Sequence, residues 1–331
     1  MTLRFDAGIW GWDSGLDIRG WDLWMMRHVR LLFRLLVPLV LAACTSGADI
    51  IDCNLRVVAQ MPMQVQDHLL IVPAGINGQW AKLVVDTGAE RTTLSSKAAE
   101  RLGLARDERF TTRSLGVGGI TTSKDAKIDR LVLGGVRFPL QRLAVGDFNL
   151  QNSRGLDADG LLGADILLAF DLDIDVPGGT LTLYHATVCP AVKPPWPTPA
   201  VEIPGISARK DRLLIPFTLD GTAGTAILDT GAQVNLVSGG MIRRMGLSEQ
   251  AFDGDPRVMQ HGVGPNQVMA RLHRFNLLQI GPVAYQPSYM MVMPGDAGFG
   301  DALLGEQFLA GRRVWLSFKS RQVYVSQPDT P

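Results

Sequence analysis

The chain has 331 residues, 46% apolar and 19% charged, enough hydrophobic material for one large or two ordinary domains and too much for global disorder. Its 32 basic and 32 acidic residues cancel to a formal charge of zero with no basic block, so nucleic acid is not expected as a partner. Five scattered histidines and three cysteines form neither an HExxH nor a CxxC spacing, and no metal or other cofactor is expected.

Chain order begins with an address. Arg27, Arg30 and Arg34 form a positive region, and Leu35 to Ala43 a short apolar one that ends in small residues, the layout of a secretory signal. The apolar stretch is far shorter than the ~20 residues of a spanning helix. Leu41-Ala42-Ala43-Cys44 resembles the bacterial lipobox. That resemblance implies lipidation at Cys44 and a chain anchored to a membrane rather than crossing it. Thr45 follows, where aspartate would mark inner-membrane retention, so the implied location is a periplasm-facing lipoprotein of the outer membrane. Residues 1–43 are thus read as an upstream segment plus signal peptide, and 44–65 as a tether. Cys53 and Cys189 remain. In an oxidising compartment they can form a disulfide or stay free thiols, and the sequence leaves both open.

The remainder is one unit written twice. His68-Leu-Leu-Ile-Val-Pro73 recurs as Arg212-Leu-Leu-Ile-Pro216, each an apolar strand start. The turns Asn77-Gly78 and Asp220-Gly221 follow, both strong hairpin signals because their residues tolerate positive φ. Next come the apolar strands Leu83-Val84-Val85 and Ala226-Ile227-Leu228, which lead into Asp86-Thr87-Gly88-Ala89 and Asp229-Thr230-Gly231-Ala232. Ser95 and Ser238 are N-cap candidates for short helices. Glycine-rich turns then appear, Gly116-Val117-Gly118-Gly119 and Gly262-Val263-Gly264-Pro265. Leu161-Leu162-Gly163 matches Leu303-Leu304-Gly305. Each copy closes with a hairpin, Phe170 to Asp175 with Thr180 to Tyr184, and Val314 to Phe318 with Gln322 to Val325. Residues 189–205 hold five prolines in one run of ten and read as an extended linker. The copies are therefore placed at 66–188 and 206–331, and short strands with frequent turns make the class all-β, of barrel or sandwich type.

The doubled aspartate carries the chemistry. Two carboxylates about 3 Å apart cannot both ionise and share one proton. The ionised member can activate a water, and the protonated member can hydrogen-bond the carbonyl under attack and later supply a proton to the leaving nitrogen. Gly88 and Gly231 let the backbones approach closely. The hydroxyls of Thr87 and Thr230 can cross-link the two turns.

On these residues the chain resembles a retropepsin-type aspartic protease, of the bacterial retropepsin-like branch, with two copies fused. The resemblance covers roughly residues 66–327. It implies two β-barrel lobes in a single-chain pseudo-dimer, with Asp86 and Asp229 as catalytic residues. Leu161, Leu162, Gly163, Leu303, Leu304 and Gly305 would support them. Gly116, Val117, Gly118, Gly119, Gly262, Val263 and Gly264 would be two flaps over a peptide or protein substrate. Viral members carry an arginine after the second-motif glycine, paired with an aspartate after the first motif. Here those positions hold Ala164 and Glu306, with Glu90 and Gln233 opposite, so that ion pair is absent. Pro265 also removes a backbone donor from the second flap. Fold alone does not decide activity. An active endopeptidase and a non-catalytic peptide-binding protein both stay open, the kept pair of aspartates favouring the first. The linker also leaves open that each copy pairs with its like in another chain.

Overall fold

A computed structural model describes residues 55–116, 119–139, 142–146, 156–185, 193–209, 212–260, 266–295 and 299–326. Cys44, Cys53, Cys189, Val117, Gly118, Gly262, Val263 and Gly264 lie outside the described residues.

The architecture follows the repeat. Each lobe holds a ten-stranded mixed sheet curled as a half-barrel, and a third, six-stranded sheet joins the two. In lobe 1, Leu69–Ile76 and Gln79–Val85 form a hairpin in which Ile71 faces Val84 and Ile76 faces Gln79. Its turn has φ of 49° at Asn77 and 86° at Gly78, the left-handed pair that a two-residue turn between twisted strands demands. Lobe 2 repeats this with Arg212–Leu219 and Thr222–Leu228, and with φ of 45° at Asp220 and 83° at Gly221. The strand Gly160–Leu162 runs parallel to Gln79–Val85, with Leu161 level with Val84. Ala302–Leu304 runs parallel to Thr222–Leu228, with Leu303 level with Ile227. Short helices follow the Ser95 and Ser238 caps. The Ser95 hydroxyl accepts from Ala98 N at 3.1 Å, and the Ser238 hydroxyl from Met241 N at 3.2 Å.

The six-stranded sheet runs in the order Val57–Pro62, Thr180–His185, Phe170–Asp175, Arg313–Ser317, Gln322–Ser326, Ala200–Pro204. Its centre is the antiparallel pair Phe170–Asp175 and Arg313–Ser317, one strand from each lobe. Leu172, Ile174, Val314 and Leu316 are fully buried there, in a core cluster that runs through both lobes. Truncating any of the leucines to alanine falls in the range of about 2–5 kcal/mol. Arg313 closes the same junction with two hydrogen bonds onto buried Asp173, 2.8 and 2.6 Å, and Trp196 Nε1 donates to that carboxylate at 3.1 Å. A residue of the proline-rich segment is thereby fastened to the lobe junction.

Two outer strands lie where the sequence reads as connection. Val57–Pro62 falls within the segment expected to be tether, whose expected end lies inside the short strand Gln64–Gln66, and Ala200–Pro204 falls within the expected linker. Their partners sit more than 100 residues away, at Thr180–His185 and Gln322–Ser326 for the two longer strands, so no local turn announces them. Among the described residues, no helix is long and apolar enough to cross a membrane.

Candidate active site

The two Asp-Thr-Gly turns meet at the junction of the lobes. Each aspartate leaves its strand end where the parallel Leu-Leu-Gly strand holds it. Asp86 N donates to Leu162 O at 3.0 Å, and Asp229 N to Leu304 O at 2.9 Å. The far side of each turn is held by the same motif, through Ala164 N to Ala89 O and Glu306 N to Ala232 O, both 2.8 Å. Gly163 and Gly305 make this approach feasible. A Cβ on either would stand 2.4 Å from Arg91 C or 2.3 Å from Ala232 O. Gly163 N is met by Thr92 Oγ1 at 3.0 Å, and Gly305 N by Asn235 Oδ1 at 2.9 Å, so different residues do the same work in the two lobes.

Thr87 and Thr230 bind the turns to each other. The Thr87 hydroxyl donates to Leu228 O at 2.7 Å and accepts from Thr230 N at 3.1 Å. The Thr230 hydroxyl donates to Val85 O at 2.6 Å and accepts from Thr87 N at 3.0 Å. All four bonds cross between lobes, so the two copies meet within one chain.

Above this cross-link lie the carboxyl groups. Asp86 Oδ1 accepts from Gly88 N at 2.9 Å and Ala89 N at 2.8 Å, and Asp229 Oδ1 from Gly231 N at 2.9 Å. Each carboxyl also lies against the opposite turn: a Cβ on Gly88 would be 2.5 Å from Asp229 Cγ, and one on Gly231 2.4 Å from Asp86 Cγ. Burial pushes the Asp86 carboxyl well above the ordinary carboxylate range, and repulsion from Asp229 pushes it further. Asp229 is raised too, chiefly by burial, but is held down by Gly231 N–H, by the hydrogen bond with Asp86 and by the charge of Arg212. Both carboxyls are thus pushed toward the protonated form, and together they favour binding a proton. Gly88→Ala or Gly231→Ala is expected to push the facing carboxyl aside and lower kcat on the order of 100-fold, the usual cost of ~1 Å of misplacement. Steady-state kinetics beside circular dichroism separates this from unfolding.

Two hairpins stand next to the site. Lobe 1 contributes Arg106–Gly116 with Gly119–Lys127, and lobe 2 contributes Arg257–Gln260 with Val268–Phe275. Their ends approach one another, since a Cβ on Gly119 would lie 3.4 Å from Asn266 Nδ2. Their undersides differ. In lobe 1, Arg91 donates to Thr112 Oγ1 at 2.6 Å and to Asp125 Oδ2 at 3.2 Å, and Thr112 donates to Asp125 Oδ1 at 2.6 Å. This network ties the active-site turn to both hairpin strands. In lobe 2, Val234 stands at the matching position and packs with Val258, Ala270 and Leu272 against Ile227 and Leu303.

The positions that lack the viral-type ion pair still connect the lobes. Glu306 is buried, and its Oε2 lies 3.1 Å from His68 Nδ1. Gln233 Nε2 donates to Asp67 O and Asp67 Oδ2, both at 2.8 Å, and Arg212 Nη2 lies 3.4 Å from Glu90 Oε1. Neither these seam contacts nor the Arg91 network was legible as a site, because their members are single polar residues whose partners come from distant strands.

Comparison with known proteins agrees with this geometry. A family model described as "Aspartyl protease" matches residues 72–166, and one described as "gag-polyprotein putative aspartyl protease" matches residues 215–311. The chain therefore carries two aspartyl protease domains of the retropepsin-like kind. It is similar to UBA domain-containing protein Mud1 of Schizosaccharomyces pombe, 32% identical over 121 residues that cover 36% of this chain and 34% of that protein. It is also similar to DNA damage-inducible protein 1 of Chaetomium globosum, 27% identical over 174 residues that cover 52% of this chain and 35% of that protein. Each match spans roughly a third of the relative's length. In fold it is like an aspartic proteinase from Irpex lacteus, with a TM-score of 0.50, 13% identity, and 82% of this chain and 97% of that one covered.

Proposed function

We propose that this chain is an aspartic endopeptidase. The observation that carries the reading is the pair of buried, apposed carboxyls, Asp86 and Asp229, each lying against the opposite turn, an arrangement in which two carboxyls share a single proton. Asp229, ionised, takes a proton from a water held between the carboxyls as the water oxygen bonds to the scissile carbon, and Asp86 gives its proton to the carbonyl oxygen. The tetrahedral intermediate collapses as Asp86 takes that proton back, the C–N bond breaks and Asp229 passes its proton to the leaving nitrogen, which restores the starting state. An extended peptide fits beneath the two hairpins, with strand-like contacts supplying affinity. Incubating the purified chain with a peptide library, with products sequenced by mass spectrometry, should reveal internal cleavage. Binding without cleavage would leave the peptide-binding alternative in its place.

We also propose that the chain acts as a monomer at a membrane surface on the exported side, lipid-anchored at Cys44 as a bacterial lipoprotein, with Cys53 bonded to Cys189. The support for the disulfide is that the terminal strands of lobe 1 pair, His185 N donating to Arg56 O at 2.9 Å. The intact mass of the native, unreduced protein is expected to show a chain beginning at an acylated Cys44 and lacking two hydrogens. A native chain that begins at Met1 without lipid would exclude the anchor, and two thiols open to labelling would exclude the disulfide.

A further inference from the structure

One hairpin turn of lobe 1 carries side chains where glycine would be easier. Gln66 pairs with Leu69, which leaves Asp67-His68 as a two-residue turn between Gln64–Gln66 and Leu69–Ile76. Both residues lie in the left-handed region, with φ of 46° at Asp67 and 62° at His68. A Cβ crowds the backbone there, which is why such turns favour glycine. Asn77-Gly78 and Asp220-Gly221 do place glycine second, whereas here histidine takes that position. Strained backbone persists only where its surroundings over-determine it.

The surroundings that hold this turn belong to the other lobe. Gln233 Nε2 donates to Asp67 O and Asp67 Oδ2, both at 2.8 Å, and His68 Nδ1 lies 3.1 Å from Glu306 Oε2. Gln233 directly follows Asp229-Thr230-Gly231-Ala232, and Glu306 directly follows Leu303-Leu304-Gly305. Those two motifs seat Asp229 together: Glu306 N donates to Ala232 O at 2.8 Å, and Asp229 N to Leu304 O at 2.9 Å. The side chain of His68 is 65% exposed and that of Glu306 only 7%, so the imidazole reaches from the surface to a carboxyl inside the seam. In lobe 1 the place of Glu306 is taken by Ala164, whose methyl can make no such contact.

Taking the dyad to be catalytic, we propose that Asp67 and His68 are positioning residues, a clasp through which lobe 1 fixes the Asp229 turn of lobe 2 against Asp86. The lobe that supplies one aspartate thereby sets the place of the other. The hydroxyls of Thr87 and Thr230 tie the two turns to each other. The clasp holds the residues that leave the lobe 2 turn and its supporting strand. A conformational cost at Asp67 and His68 is accepted because their side chains and backbone make contacts that a glycine turn would lack.

The test is carbon-13 NMR titration of the full chain labelled at the aspartate carboxyls, beside steady-state peptide cleavage, with the dyad resonances assigned through Asp86→Asn and Asp229→Asn. His68→Gly keeps the turn, because glycine takes positive φ freely, and removes the hold on Glu306. Asp229 then gains room, the two carboxyls repel less, and their macroscopic titration steps should draw together. The kcat should fall by up to about 100-fold, the cost of ~1 Å of misplacement, with KM nearly unchanged. His68→Asn should restore both readings, since asparagine tolerates positive φ and carries a nitrogen at the same δ position. Gln233→Ala cuts the Asp67 half of the clasp and leaves the turn sequence intact. It should act in the same direction, and it gives an independent reading if His68→Gly does not fold. If both variants change only the melting temperature, and neither moves the carboxyl titration or kcat, the clasp is structural and the proposal is overturned. A parent chain that cleaves no peptide would remove the endopeptidase reading, while the titrations would still decide whether the clasp positions Asp229.

Discussion

Asp86→Asn and Asp229→Asn are each expected to abolish peptide cleavage while leaving the protein folded. Asparagine is nearly isosteric, and its carbonyl oxygen can still accept the bonds that Gly88 N and Ala89 N give to Asp86, or Gly231 N to Asp229. It cannot take up or release the proton on which the chemistry turns. Loss of a general acid or base costs about 10²–10⁴ in rate, and groups that act as one unit are strongly non-additive. The double variant should therefore be little worse than either single one. Stability should move the other way. Both carboxyls have folded-state pKa values above the unfolded one, so the folded chain binds these protons more tightly. Their contribution favours folding in acid and is lost as pH rises from the ordinary carboxylate range through the raised folded values. Asp86→Asn removes that loss, so its melting temperature should exceed the parent's near neutral pH and match it in acid. Each kcal/mol gained corresponds to roughly 2–4 °C in a protein of about this size. Scanning calorimetry at two pH values, beside a peptide-cleavage assay, checks both halves. Half-activity in a folded single variant would mean that Asp86 and Asp229 do not share one site.

Much of this architecture was legible because the sequence repeats its own short-range signals. Asp-Thr-Gly-Ala, the two-residue turns and Leu-Leu-Gly recur at nearly constant spacing, and each encodes local geometry: a positive-φ turn, a strand end, a glycine where backbones touch. The two hairpins that close the lobes were readable for the same reason. What escaped depends on long-range pairing. Val57–Pro62 and Ala200–Pro204 look like tether and linker because each ends in proline and neither adjoins its partner strand. Proline is tolerated there because both strands lie at the edges of the six-stranded sheet. The seam contacts were hidden more deeply. Glu306 and Gln233 read as the loss of an ion pair, whereas the fold reuses both positions to reach His68 and Asp67 in the other lobe. Nothing in the local sequence distinguishes a buried glutamate at a lobe junction from an exposed one at a helix start.

Thr87→Val should cost about 2–6 kcal/mol of stability and much of the activity, although it preserves the shape of the side chain. The hydroxyl meets two buried backbone groups of the opposite turn, accepting from Thr230 N and donating to Leu228 O. Valine leaves both without a partner, and each unsatisfied buried group costs about 1–3 kcal/mol. Thr230→Val does the same to Thr87 N and Val85 O. The two variants touch one four-bond network, so their effects should not add. Thr87→Ser keeps the hydroxyl and should recover most of the loss, which separates hydrogen bonding from packing. Activity should fall more steeply than stability, because this cross-link sets the spacing of the carboxyls immediately above it, and the proton shared between Asp86 and Asp229 depends on that spacing. Urea unfolding midpoints give the energetic cost, and the pH profile of kcat/KM reports the dyad. A Thr87→Val, Thr230→Val double variant with unchanged stability and an unchanged profile would show that the lobes are held in register without this cross-link.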